Sequence, residues 1–450
     1  MRALGSSAWL LGAALALPGT APGGIPAAAE VAPVSSVASG TSDDAGPRHV
    51  EARPGAAWAR SSDELRAMIA DPSGPRVIDL APGVHRGDVT VKRPVSIRGM
   101  AGAVLEGSGT ATVLTIDAAD VTVENVTLRR SGHRHTAEDA GIKASGDRVR
   151  IADVAVEDTL FGISLAACRA CEVERARITG PADDAEMRGD GVKLWEAHGS
   201  RVSRSVIDRS RDLVVWYTRR ARLEGNVVRG GRYGAHFMFA HDGTAERNRF
   251  EGNVVGVFVM YSARVALRRN LLSGARGAAG MGLGLKDSDA VTVEGNWIVA
   301  NTAGAYLDNT PRNPDDAVFV RGNVIALNDV ALRLHSSEKG LHVLGNDVRS
   351  NGRTVEVDGG GGALGVDARG NHFTEYEGYD LDGDAIGDVP HEVKALSSEL
   401  GDRRPALKFF AGTAAMGLVD AVSRAVPVFA SQKVLVDPAP LTRPPVVEAP

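Results

Sequence analysis

The 450-residue sequence contains only two cysteines, and aromatic residues make up only 5% of it. The cysteines, Cys168 and Cys171, form a single Cys-x-x-Cys, which leaves a redox pair, half of a metal site or one disulfide open. Charge of neither sign dominates, since a formal net charge of -5 gives no global attraction to nucleic acid or to an anionic membrane. No Gly-x-x-x-x-Gly-Lys-Ser/Thr string occurs, so the chain does not by itself bind and split ATP in the Walker manner. No apolar stretch approaches the ~20 residues that a membrane span needs, and the chain is read as not itself membrane-spanning.

What the sequence does have is glycine, 53 residues of it, and a repeat. Gly191 to Trp195, Leu213 to Tyr217, Gly234 to Met238, Gly256 to Tyr261 and Gly282 to Lys286 are variants of one short phrase. Between them a shorter apolar segment ends near an asparagine: Asn226, Asn248, Asn270, Asn296, Asn323, Asn346 and Asn371 recur at intervals of roughly 22 to 27 residues. Weaker copies run upstream from Val121, giving about eleven units. Apolar and polar residues alternate in both halves of each unit, and Val, Ile, Thr and aromatics dominate, which means strands. A leucine-rich repeat would need a Leu-x-x-Leu-x-Leu frame that is not present. The expected fold is all-β, a right-handed parallel β-helix with an N-terminal capping helix and a C-terminal helix. Asparagines at one bend of successive coils tolerate left-handed backbone and stack about 4.8 Å apart, a structural ladder.

In chain order, residues 1–29 read as a secretory signal, with Arg2, an apolar run from Ala8 to Leu17 and the small residues Ala27, Ala28 and Ala29. Residues 30–58, rich in Ala, Pro, Ser and Gly, read as a flexible linker. Residues 59–376 are the β-helix with its cap: Ser61, Ser62, Asp63 and Glu64 signal a helix start before Leu65, Met68 and Ile69. Residues 377–405 form an acidic turn region, and 406–450 a C-terminal helix and Pro-rich tail. The helix is expected from Leu407 to Val426 on the near-helical spacing of Leu407, Phe410, Ala414, Leu418, Val422 and Val426, and its apolar face, with Leu407 and Phe410, is a candidate partner surface.

Strand phase locates the candidate site. With Val192 and Leu194 facing the core, one outward column holds Trp195, Trp216, Met238, Met260, Lys286, Asp308 and His335. Its neighbour holds Lys193, Val214, His236, Phe258, Gly284, Tyr306 and Arg333. Contiguous exposed apolar side chains of this size mark binding surfaces, so Trp195, Trp216 and Phe258 are assigned to a partner surface. His236, Met238 and Met260 together offer imidazole nitrogen and thioether sulfur, a donor set that suits Cu(I). The competing readings are a stripe covered by loops or a terminal helix, and a register one residue off that turns all of it inward. The same phase puts Cys171 inward beside Val173, where it packs as a small apolar residue.

Asp380, Asp382 and Asp384 lie two residues apart around Gly383, with Asp388 four further on. Hard oxygen ligands so spaced are a candidate calcium loop, although the terminal glutamate of a full motif is missing and a solvated acidic turn has the same composition. A catalytic alternative, a β-helix polysaccharide lyase or glycoside hydrolase, would draw on Asp183, Asp184, Asp190 and Lys193. A non-catalytic scaffold or adhesin is a third reading.

The strings Arg188-Gly-Asp-Gly-Val-Lys-Leu-Trp195, Arg211-Asp-Leu-Val-Val-Trp-Tyr217, Gly231-Arg-Tyr-Gly-Ala-His-Phe-Met238, Val259-Met-Tyr-Ser262, Gly280-Met-Gly-Leu-Gly-Leu-Lys-Asp-Ser288, Gly304-Ala-Tyr-Leu-Asp308 and Tyr376-Glu-Gly-Tyr-Asp-Leu-Asp-Gly-Asp384 resemble the NosD family. The resemblance runs from about Val77 to Pro445 and departs from the family pattern at Asn371-His372-Phe373 and at Ala385. It implies a periplasmic, non-enzymatic accessory protein in maturation of the copper centre of nitrous-oxide reductase. Its implied partners are a copper chaperone lipoprotein, the permease and ATPase of an ABC transporter, and the reductase itself.

Overall fold

The computed structural model describes residues 45–48, 55–184, 187–337, 339–358, 363–394, 404–410, 413, 415, 418–419, 422 and 433–450. From Ala57 to Phe373 the chain winds as a parallel β-helix, each full coil giving one short strand to each of three sheets of 14, 13 and 12 strands. The first sheet begins with Ala57–Ala59, the second with Gly83–Arg86 and the third with Val89–Val91, and every pairing within them is parallel. Thirteen strands in the second sheet are about two coils more than the repeat count suggested. The additional coils carry the strands Val77–Leu80 and Ser96–Gly99, where no asparagine marks the period.

Alternation drives the winding. Val192 and Leu194, Leu213 and Val215, Ala235 and Phe237, Val257 and Val259, and Leu283 and Leu285 stack inward in rows and are buried in one continuous core. Each Val, Leu or Phe among them contributes about 1.5 to 3 kcal/mol on burial.

From Asn226 onward, at the corner after each first-sheet strand, a left-handed residue such as Gly225, Arg247 or Arg269 precedes the inward asparagine. From Asn226 to Asn371, each asparagine donates its backbone N–H and its Nδ2 to Oδ1 of the next. The same Nδ2 also reaches a strand carbonyl, as from Asn248 to Leu223 at 2.9 Å. A second ladder, which the sequence reading did not anticipate, stacks Asn301, Asn328 and Asn351 at another corner.

The N-terminal end is covered as expected. Ser61 caps a helix over Ser62–Ala70 by accepting from the Glu64 N–H, and Leu65 and Ile69 complete the first coils of the core. The strand Ala57–Ala59 begins inside the segment expected as a linker, 30–58, where the Gly46 N–H also donates to the Arg175 carbonyl at 2.8 Å and Ala45 is buried with Val206 and Val227. Cys168 and Cys171 face inward, fully buried, and are joined as a disulfide. At the far end Lys433–Asp437 pairs antiparallel with His391–Lys394. Asp437 then accepts from both N and Nδ2 of Asn371 at 2.9 Å, taking the position of the next asparagine. Of the helix expected from Leu407 to Val426, Pro405–Phe410 is a 3₁₀ helix with Phe410 exposed, and most of the remainder lies outside the described residues. The segment read as a signal also lies outside them. Among the described residues no helix is long and apolar enough to cross a membrane.

Candidate functional site

The outer face of the third sheet carries the two columns in the expected register. Trp195 pairs with Trp216, Trp216 with Met238, Met238 with Met260, Met260 with Lys286, Lys286 with Asp308 and Asp308 with His335. Beside it Lys193, Val214, His236, Phe258, Gly284, Tyr306 and Arg333 follow one another in the same way. The inward row is Leu194, Val215, Phe237, Val259 and Leu285, so Met238 and Met260 stand on the outside, half-buried, one strand spacing apart.

Aromatic rings wall the two thioethers. On one side Tyr217, Phe239 and Tyr261, the residues that follow the first column, stack with centroids 5.2 and 5.1 Å apart and planes within 14°. All three hold left-handed backbone, φ 52°, 50° and 49°, a conformation bulky residues seldom adopt and one that aims each ring along the stripe. Tyr217 and Phe239 are exposed. On the other side His236 stacks on Phe258 at 6.2 Å, with Tyr233 tilted 4.7 Å from His236. Trp195 and Trp216 close one end edge to face at 5.9 Å, and the Lys193 ammonium lies 4.9 Å from the centre of the Trp195 ring. At the other end Lys286 is ion-paired with Asp308.

His236 is the sequence candidate whose setting differs most from expectation. It is only 5% exposed, Trp216 Nε1–H donates to its Nδ1 at 3.3 Å, and its Nε2 is buried without a partner. Burial drives its pKa down to about 4, aided by the Arg232 charge and opposed by Asp212. The ring is therefore neutral at pH 7, with its proton on Nε2 and its lone pair committed to Trp216. Met238 and Met260 are the accessible soft donors, and His236 stands buried in the neighbouring column among Trp216, Tyr233 and Phe258.

Asp190 and Asp212, both buried, sit at the start of adjacent coils. Asp190 accepts from Arg211 at 2.9 Å and Asp212 from Arg232 Nε at 3.1 Å. Burial pushes Asp190 up to about 6, with Arg211 lowering and Asp212 raising it. Lys193 is buried and paired with Glu138, whereas Asp183 and Asp184 are exposed in the preceding loop. The carboxylates named for a glycan-cleaving site are thus split between a buried ion-paired setting and a solvated one.

In the acidic turn, carboxylate oxygens of Asp380, Asp382 and Asp384 lie within 4.8 Å of one another. Asp380 accepts from the Gly383 and Ala385 N–H groups and Asp388 from the Leu381 N–H, so backbone amides account for the turn.

The family model described as periplasmic copper-binding protein (NosD) matches residues 174–378. A probable ABC transporter binding protein NosD of Stutzerimonas stutzeri is 26% identical over 415 residues, covering 84% of this chain and 89% of that protein. Its namesake in Pseudomonas aeruginosa is 28% identical over 420 residues, covering 82% and 89%. Among solved structures, the mannuronan C-5 epimerase AlgE6 A-module of Azotobacter vinelandii superposes with a TM-score of 0.56 over 72% of this chain and 97% of that one. At 14% identity that likeness concerns the β-helix alone.

Proposed function

We propose that this chain, which belongs to the NosD family, is a periplasmic accessory protein that receives or presents Cu(I) together with an ABC transporter during maturation of the copper centre of nitrous-oxide reductase. It works by binding and presenting rather than by catalysis. The observation that carries this reading is the register pairing of Met238 with Met260 on an outward column, walled by aromatic rings. Thioethers are neutral, soft donors that hold a soft monovalent ion and reject hydrated hard cations. No closed cage surrounds them, so an ion held there can be passed to a partner surface built on Trp195, Trp216 and Phe258. The names of the two bacterial relatives support association with a transporter, and the apolar segment with Leu407 and Phe410 is read as the contact to its permease.

The test is competition for Cu(I) against a chromogenic chelator under reducing conditions, with the wild type and the double variant Met238→Leu/Met260→Leu. Leucine keeps the apolar bulk, so the fold survives. Affinity should fall by about tenfold or more, the size of loss expected when a ligand set is disturbed. Equal affinity in both proteins removes the two methionines as ligands. For the transporter contact, deletion of residues 407–426 should abolish co-purification with the permease, and unchanged co-purification places docking elsewhere.

A further inference from the structure

We infer that Met281 is a third thioether donor of this face, seated by the missing side chain at Gly284; the inference rests on the Cu(I) reading above and adds a residue to it.

In the column that runs from His236 through Phe258 and Gly284 to Tyr306, only position 284 has no side chain. Its backbone does not need glycine, because it is an ordinary strand position in Met281–Lys286. The space needs it. A Cβ placed there would lie 2.6 and 2.8 Å from two ring carbons of Phe258 and 2.9 Å from Met281 Sδ. The cleared ground above Gly284 is therefore filled jointly by the Phe258 ring and the Met281 sulfur.

Met281 starts its strand on the outer face, half-buried, and its side chain turns along the strand toward Gly284, much as Tyr233 turns toward His236 two coils earlier. Lys286, two residues past Gly284, is the register partner of Met260. Two residues of strand span about 7 Å. The Met281 sulfur thus lies about that far along the sheet from the column of Met238 and Met260, on the Phe258 side, an interval that unbranched thioethers leaning in from both sides can close. Packing alone does not call for it: the equivalent position on the preceding coil is Val255, and on the following coil Ala303. Three neutral sulfurs from successive coils make a donor set for a soft monovalent ion, without an anionic ligand that would favour a divalent one.

The experiment uses the full-length protein labelled with ¹³C at methionine methyl groups and titrated with Ag(I) as an air-stable soft ion. The chain has eight methionines, so each signal is assignable by single Met→Leu variants. The expected result is that Met238, Met260 and Met281 shift together and saturate at the same Ag(I) equivalent, while Met187, 58% exposed and off this face, stays put. Shifts at Met238 and Met260 with Met281 unmoved overturn the inference and leave the Cu(I) reading standing. No shift at any of the three overturns both, and parallel movement of Met187 reduces the effect to indiscriminate surface binding and overturns it too. In Gly284→Ala, with strand circular dichroism unchanged, the Met281 shift should disappear while those of Met238 and Met260 remain; a Met281 shift as large as in the wild type refutes the seating by Gly284.

Discussion

Trp216 and His236 are locked together across one coil step by a hydrogen bond of 3.3 Å from indole Nε1–H to imidazole Nδ1. The bond fixes the tautomer while burial keeps the imidazole neutral, and a titration follows from the burial.

His236 has its folded pKa lowered to about 4, below its unfolded value, so the unfolded chain binds the extra proton as pH falls through 6.5. Its contribution is full above pH 6.5 and is lost between pH 6.5 and 4. Asp190 is raised to about 6, so its contribution runs the other way, present at low pH and lost as pH rises from about 4 to 6. The two slopes offset each other in the wild type. In Asp190→Asn the His236 slope should emerge, with denaturation free energy rising by on the order of 3 kcal/mol from pH 4 to 6.5. A flat profile in that variant contradicts the burial argument.

Asp437→Ala should cost about 2 to 4 kcal/mol, because two buried donors of Asn371 lose their acceptor. Asp437→Asn keeps one accepting oxygen for them and turns an amide toward the Ala439 N–H, so it should cost about 1 kcal/mol. Chemical denaturation of both variants checks the order.

The ladder interior should reverse that tolerance. Asn270→Asp still accepts from Asn248 but has no hydrogen to give Asn296 or the Ala245 carbonyl, and it buries a charge. A loss of about 3 kcal/mol or more is expected. Hydrogen exchange should accelerate first in the coils on either side of residue 270.

Ala385 sits at φ 70° in the acidic turn. Ala385→Gly should therefore raise stability by about 1 kcal/mol, relief of left-handed strain exceeding the added chain entropy. A thermal melt that does not move upward argues against that strain.

Much of the fold was legible because a period-two strand leaves no freedom once one inward residue is fixed. Val192 inward places Trp195, Met238 and Met260 outward across several coils, as observed. What escaped is what alternation does not encode. Tyr217, Phe239 and Tyr261 occupy left-handed corners that sequence normally reserves for glycine or asparagine, so nothing in their identity announced a stacked wall. The burial of His236 depends on rings from three coils closing over it. Met281 was passed over because strict alternation puts it in phase with the inward Leu283 and Leu285, whereas the strand breaks phase at Gly282, which faces Ile298 of the core and leaves Met281 outside. Asp437 lies 66 residues from Asn371, outside any repeat spacing.

The Asn371 to Asp437 junction also bears on what happens between molecules. A stack of parallel coils resembles the arrangement in amyloid, and its last rung would template a further chain. Hydrogen-bond donation passes down the amide column from Asn226 and ends on a group that can only accept. One edge of the strand Lys433–Asp437 is taken by His391–Lys394, which pairs with it antiparallel. A second copy arriving end-on finds no hydrogen to receive from Asp437 and an edge of Lys433–Asp437 already paired, so the repeat carries its own stop against fibre growth.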